Sequence, residues 1–141
     1  PVHQIAAMGA AVSLVTQSLH EELERTKVLR DQLWNGLQQV GEVYLNGDID
    51  HQVPHCLNVR VSGVHQDSLI MAARALAFST GSACQSVQVK PSHVLLAMGL
   101  THKAASQSIR LSIGRQTTED DVAFAINALQ SAITRLRAIS P

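Results

Sequence analysis

Apolar residues recur at helical spacing from Ile5 to Val40: Ile5, Met8, Val12, Val15 and Leu19 are followed by Leu23, Leu29, Leu33, Leu37 and Val40. This pattern predicts one long helix with a single buried stripe. Glu21, Glu22, Glu24, Arg25, Lys27, Arg30 and Asp31 fall on its other side, with Glu21 and Arg25 spaced to pair one turn apart. A short strand is expected at Glu42 to Leu45. The Asn46-Gly47-Asp48 turn follows, where Asn and Gly accept positive φ at low cost.

Leu57 to Val61 predicts a second strand. Asp67 or Ser68 is positioned to cap a helix through Leu69, Ile70, Ala73 and Leu76. A short helix from Ser92 to Met98 ends at Gly99, the residue type that closes helices in the left-handed conformation. From Ser108 to Ile113 the apolar Ile109, Leu111 and Ile113 alternate with Ser108, Arg110 and Ser112. This is the period of a half-buried strand, and it turns Arg110 away from the core. Thr117 or Thr118, ahead of Glu119, Asp120 and Asp121, starts a last helix whose buried stripe is Val122, Ile126, Leu129, Ile133 and Leu136. Helices and short strands interspersed without a βα repeat predict an α+β fold, a small antiparallel or mixed sheet covered by helices on one face. Residues 1–141 are expected to form a single domain.

Composition narrows the function. Eleven basic and eleven acidic side chains cancel, which argues against a nucleic acid or an anionic membrane as partner. No apolar run is long enough to span a bilayer. Two cysteines and the lack of a secretory leader at Pro1 favour a reducing, cytoplasmic setting. The ends, Pro1 running straight into a helix and Pro141 following one, suggest a piece of something longer. His51, His55, Cys56 and His65 match no zinc spacing, so no metal is expected.

Chemistry concentrates in one stretch. Ser79-Thr80-Gly81-Ser82-Ala83-Cys84-Gln85-Ser86 has neither helical nor strand period, and its small residues predict an exposed loop that presents the Cys84 thiol. Lys90 and the hydroxyls of Ser82 and Ser86 are near enough in sequence to favour a thiolate. A lone loop cysteine is nevertheless more often inert than reactive. Arg110 offers a planar fork suited to a carboxylate, although a surface salt bridge is the commoner duty of a strand arginine.

Gly81-Ser82-Ala83-Cys84 followed by Ser86, then Pro91-Ser92 and a short helix, resembles the active-site loop of cysteine desulfurases. The likeness runs through Tyr44-Leu45-Asn46-Gly47-Asp48 and Ser108-Ile109-Arg110 to Gly114-Arg115-Gln116-Thr117-Thr118-Glu119. It implies the C-terminal small domain of a NifS/IscS-like enzyme of the class-V aminotransferases, with the fold of that domain in fold-type I pyridoxal-phosphate transferases. Such enzymes take sulfur from L-cysteine as a persulfide on the loop cysteine, here Cys84. They pass it to iron–sulfur scaffold or tRNA-thiolation proteins.

The same resemblance assigns Arg110 to the substrate carboxylate and Ser79, Gly81, Ser82, Ala83 and Ser86 to the active-site loop. It implies pyridoxal phosphate in the full-length enzyme, and a homodimer is one way for this chain to cover helix faces that the rest of the enzyme would otherwise bury. Because Lys27, Lys90 and Lys103 match no Schiff-base motif, this chain alone is expected to hold no cofactor and to be inactive by itself. His93 and Gln116 stand where the family often has aromatic residues. The alternative is a stand-alone module that accepts persulfide or binds a protein without cofactor chemistry.

Overall fold

Proline is missing between Pro1 and Pro54, and the helical pattern is followed by a correspondingly long helix, α1 (Val2–Gln38). In the computed structural model, which describes residues 1–80 and 91–139, the remaining elements in chain order are β1 (Val43–Leu45), β2 (Cys56–Val61), α2 (Gln66–Ala72), α3 (His93–Ala97), α4 (His102–Ala105), β3 (Ser108–Ser112) and α5 (Glu119–Ile139). The strands form one antiparallel sheet in the order β1-β2-β3. The α+β architecture expected from the pattern is the one observed.

One face of the sheet carries the core. Leu57, Val59 and Val61 of β2 and Ile109 and Leu111 of β3 are buried, and Leu29, Leu33 and Leu37 of α1 and Val122, Leu129, Ala132 and Ile133 of α5 join them in the core. Each of the larger side chains contributes roughly 1.5–3 kcal/mol through removal from water. The two long helices meet closely at Gly36, whose carbonyl accepts a 2.8 Å hydrogen bond from Gln130 Nε2.

The buried stripe expected along all of α1 is half right. Leu29, Leu33 and Leu37 are buried, but Ile5, Met8, Val12, Val15 and Leu19 are between 48% and 71% exposed. The sheet and α5 pack only on the C-terminal half of the helix, so its first turns project from the body. Periodicity records which face is apolar, not what covers it.

The charged side of α1 is also less uniform than expected. Arg30 is 2% exposed, with its guanidinium 2.7 Å from Asp31 Oδ1. Arg25 pairs with Glu22 rather than Glu21, and it donates to the carbonyls of Gly114, Arg115 and Thr117, tying α1 to the turn before α5. Arg137 makes a matching tie at the other end of the body. It donates to the carbonyls of Val40, Gly41, Glu42 and Ser62, across a turn in which Gly41 (φ 74°) and Glu42 (φ 49°) are left-handed.

The cap of α2 is His65, whose Nδ1 accepts from Asp67 N–H at 3.3 Å, in place of the expected Asp67 or Ser68. Gly99, at φ 92°, closes the α3 segment in the left-handed conformation as expected. The four-residue α4 is too short to show a period. Thr101 starts it by accepting from Ala104 N–H at 3.2 Å.

Candidate functional site

The sheet's second face is polar because β2 and β3 alternate. Cys56, Asn58 and Arg60 of β2 and Ser108, Arg110 and Ser112 of β3 all stand on the side opposite the core. Arg110 is exposed and lies in register with Asn58, Cys56 with Ser112, and Arg60 with Ser108. The Arg60 guanidinium sits 4.4 Å from the ring centroid of Tyr44 on β1, a cation–π contact.

β3 ends the three-stranded sheet, but its outer edge is met by the segment that leads into the cysteine-bearing stretch. Ser79 N–H donates to Arg110 O at 3.1 Å and Arg110 N–H donates to Ser79 O at 2.7 Å. Two residues assigned to the site from sequence, far apart in the chain, are therefore direct neighbours. Cys84, Gly81, Ser82, Ala83 and Ser86 lie outside the described residues.

The bridge also fixes how Arg110 faces β2. In an antiparallel ladder a residue's N–H and C=O point to the same neighbour. Arg110 spends both on Ser79, so Asn58 and Arg110 form a non-hydrogen-bonded pair, the type in which facing side chains approach most closely, with Cα atoms about 4.5 Å apart. The donors from Val61 N to Gln107 O and from Ile113 N to His55 O fall in the same alternation.

A directed hydrogen-bond chain ends at that pair. Ser108 Oγ donates to the carbonyl of Ala104 at 2.9 Å, and so accepts from Asn46 Nδ2 at 2.9 Å. The Asn46 amide nitrogen then also donates to Asn58 Oδ1 at 2.8 Å. Asn58 must therefore present its oxygen to Asn46 and keep its NH2 for another acceptor. Sequence reasoning misses this network: strand alternation puts Asn58 on the polar face, but only register sets it against Arg110.

Lys27 and Lys103 are exposed on separate elements, α1 and α4. The histidines do not gather either: His51 Nδ1 pairs with Asp48 Oδ2 at 2.8 Å, and His65 caps α2. Among the described residues no three His, Cys, Asp or Glu side chains converge as a metal would require, and no helix is long and apolar enough to cross a membrane.

A family model described as aminotransferase class-V matches residues 1–124. The chain belongs to the class-V aminotransferase family. It is 48% identical over all 141 residues to the cysteine desulfurase IscS of Klebsiella pneumoniae (strain 342), and equally to that of Escherichia coli O139:H28. In both cases it covers 35% of the relative, so the chain spans about a third of the length of the curated relatives it matches.

Solved structures agree on the fold. A NifS-like protein has a TM-score of 0.77 at 21% identity, covering 89% of this chain and 32% of its own. A NifS-like protein from Rickettsia africae has a TM-score of 0.77 at 22% identity, covering 92% and 34%. DndA from Streptomyces lividans is 31% identical, with a TM-score of 0.53 over 73% of this chain and 29% of the other.

Proposed function

We propose that this chain is the small domain of a cysteine desulfurase, the part that carries the sulfur-accepting cysteine. Arg110 holds the carboxylate of L-cysteine through its two-pronged guanidinium, and the Cys84 thiol takes the substrate's sulfur. The balance is one thiol and one L-cysteine giving a Cys84 persulfide and L-alanine. The persulfide then passes to an iron–sulfur scaffold or tRNA-thiolation protein in the cytoplasm, and the intact enzyme works as a homodimer. Pyridoxal phosphate, held by the part of the enzyme outside this chain, supplies the electron sink for the amino acid.

The observation that carries this reading is the Ser79–Arg110 bridge. It ties the candidate carboxylate ligand to the start of the segment that bears Cys84. Cys84 lies five residues after Ser79, a covalent backbone reach of at most about 18 Å from the sheet edge. A nucleophile must come within about 3–3.5 Å of the atom it attacks, and a short tether to the residue that grips the substrate favours that encounter. Identity to the IscS enzymes along the whole chain supports the substrate class.

The test is made in the full-length, cofactor-loaded enzyme. After incubation with L-cysteine, peptide mass spectrometry is expected to find one added sulfur on Cys84 and none on Cys56. Cys84→Ala is expected to abolish sulfur transfer while keeping the cofactor's absorbance. Added sulfur on Cys56 alone, or full transfer by Cys84→Ala, contradicts the proposal.

A further inference from the structure

We propose that Asn58 is a second ligand of the substrate carboxylate, acting beside Arg110 and fixing which way the acid group lies on the sheet. The inference rests on the reading of Arg110 as the carboxylate ligand and adds to it. A carboxylate has about four lone-pair directions, and a bidentate guanidinium takes only two of them. A neighbouring N–H donor completes the set and removes the rotation that a single fork leaves free.

Asn58 is built to be that donor. It faces Arg110 across a non-hydrogen-bonded pair, where Cβ atoms lie about 4.5–5.5 Å apart. Its amide is oriented by the directed chain from Ala104 O through Ser108 Oγ and Asn46 Nδ2. That chain begins at a backbone carbonyl, which can only accept, so its sense cannot be reversed without losing a bond. Among the described residues no acceptor meets the Asn58 NH2. A half-buried donor pair held in one orientation next to an exposed guanidinium is suited to an anion and unsuited to a cation. Aspartate at position 58 would set a negative charge against the same acid group.

In the full-length holoenzyme, Asn58→Ala is expected to weaken L-cysteine about tenfold, the loss of one hydrogen bond to a charged group. The rise falls on KM more than on kcat, because the contact is made before and during reaction alike. Calorimetric binding of L-alanine, which has the carboxylate and no sulfur, is expected to weaken by the same factor. Asn58→Asp is expected to weaken both further.

Asn46→Asp keeps Asn58 but turns its amide round, since an aspartate accepts and cannot donate; it too is expected to raise KM. This second variant answers the case in which Asn58 variants do not fold. Arg110→Gln is run in parallel. A large KM effect of Arg110→Gln together with unchanged KM and L-alanine affinity in the Asn58 and Asn46 variants overturns the role of Asn58 and leaves Arg110 standing. No KM effect of Arg110→Gln overturns the carboxylate reading, and the role of Asn58 with it.

Discussion

Ser79 and Arg110 exchange two backbone hydrogen bonds, at 3.1 and 2.7 Å, on the edge of β3 that β2 does not occupy. This is a single bridge, not a strand, and it fixes where the chain stands just before residues 81–90. One donor of the bridge is the Ser79 N–H, so Ser79→Pro removes it without touching Arg110. Lower stability by about 1–3 kcal/mol is expected in denaturant unfolding. Amide exchange at Arg110 is expected to accelerate, because its own N–H bond to Ser79 O loses its partner bond. Unchanged exchange at Arg110 would mean that the bridge contributes nothing to holding the segment.

Gly36 separates two effects that usually coincide. A Cβ there would stand 2.5 Å from Ile126 Cδ1 and 2.8 Å from its Cγ2, closer than packed atoms approach. Alanine gains about 1 kcal/mol of helix propensity over glycine, but overpacking a filled interface costs about 1–3 kcal/mol. Gly36→Ala is therefore expected to lower the melting temperature, and adding Ile126→Ala is expected to restore part of the loss. Gly9 gives the opposite sign, because nothing lies within 4 Å of the place its Cβ would take. Gly9→Ala is expected to increase helicity by circular dichroism.

The contrast between these two glycines also marks how far the sequence could be read. Periods of 3.6 and 2 located α1, β2, β3 and α5, and they put Arg110 on the polar face, because those patterns are set by the core the chain itself builds. The same logic placed Ile5 to Leu19 in a core that does not reach them. It missed α4, whose four residues are too few to display a repeat. Half of the candidate site was readable in the same way. Ser79 and Arg110 were identified from the loop motif and the strand, but that they touch depends on a pairing between distant segments that no local pattern encodes. Asn46, Asn58 and Ser108 are ordinary polar residues in sequence, and only their directed hydrogen bonds distinguish them.

The start of α5 gives a test in pH. Thr118 N–H donates to Asp121 Oδ2 at 2.9 Å and the Thr118 hydroxyl does so at 2.8 Å, while Asp121 N–H donates back to Thr118 Oγ1 at 3.2 Å. The backbone bond first, and the hydroxyl bond second, hold the Asp121 carboxyl below the ordinary aspartate range. A carboxyl whose pKa is lower folded than unfolded stabilises the fold above its unfolded pKa, and that contribution is lost as pH falls through the depressed value. Asp121→Ala is therefore expected to lower the melting temperature at neutral pH, with the gap from the parent protein narrowing once pH drops below the usual aspartate range. Thr118→Val, which removes the hydroxyl and keeps the backbone N–H, is expected to narrow the gap less steeply. A gap that stays constant from neutral to acid pH would mean that the cap acts through shape alone and that the charge on Asp121 is irrelevant to α5.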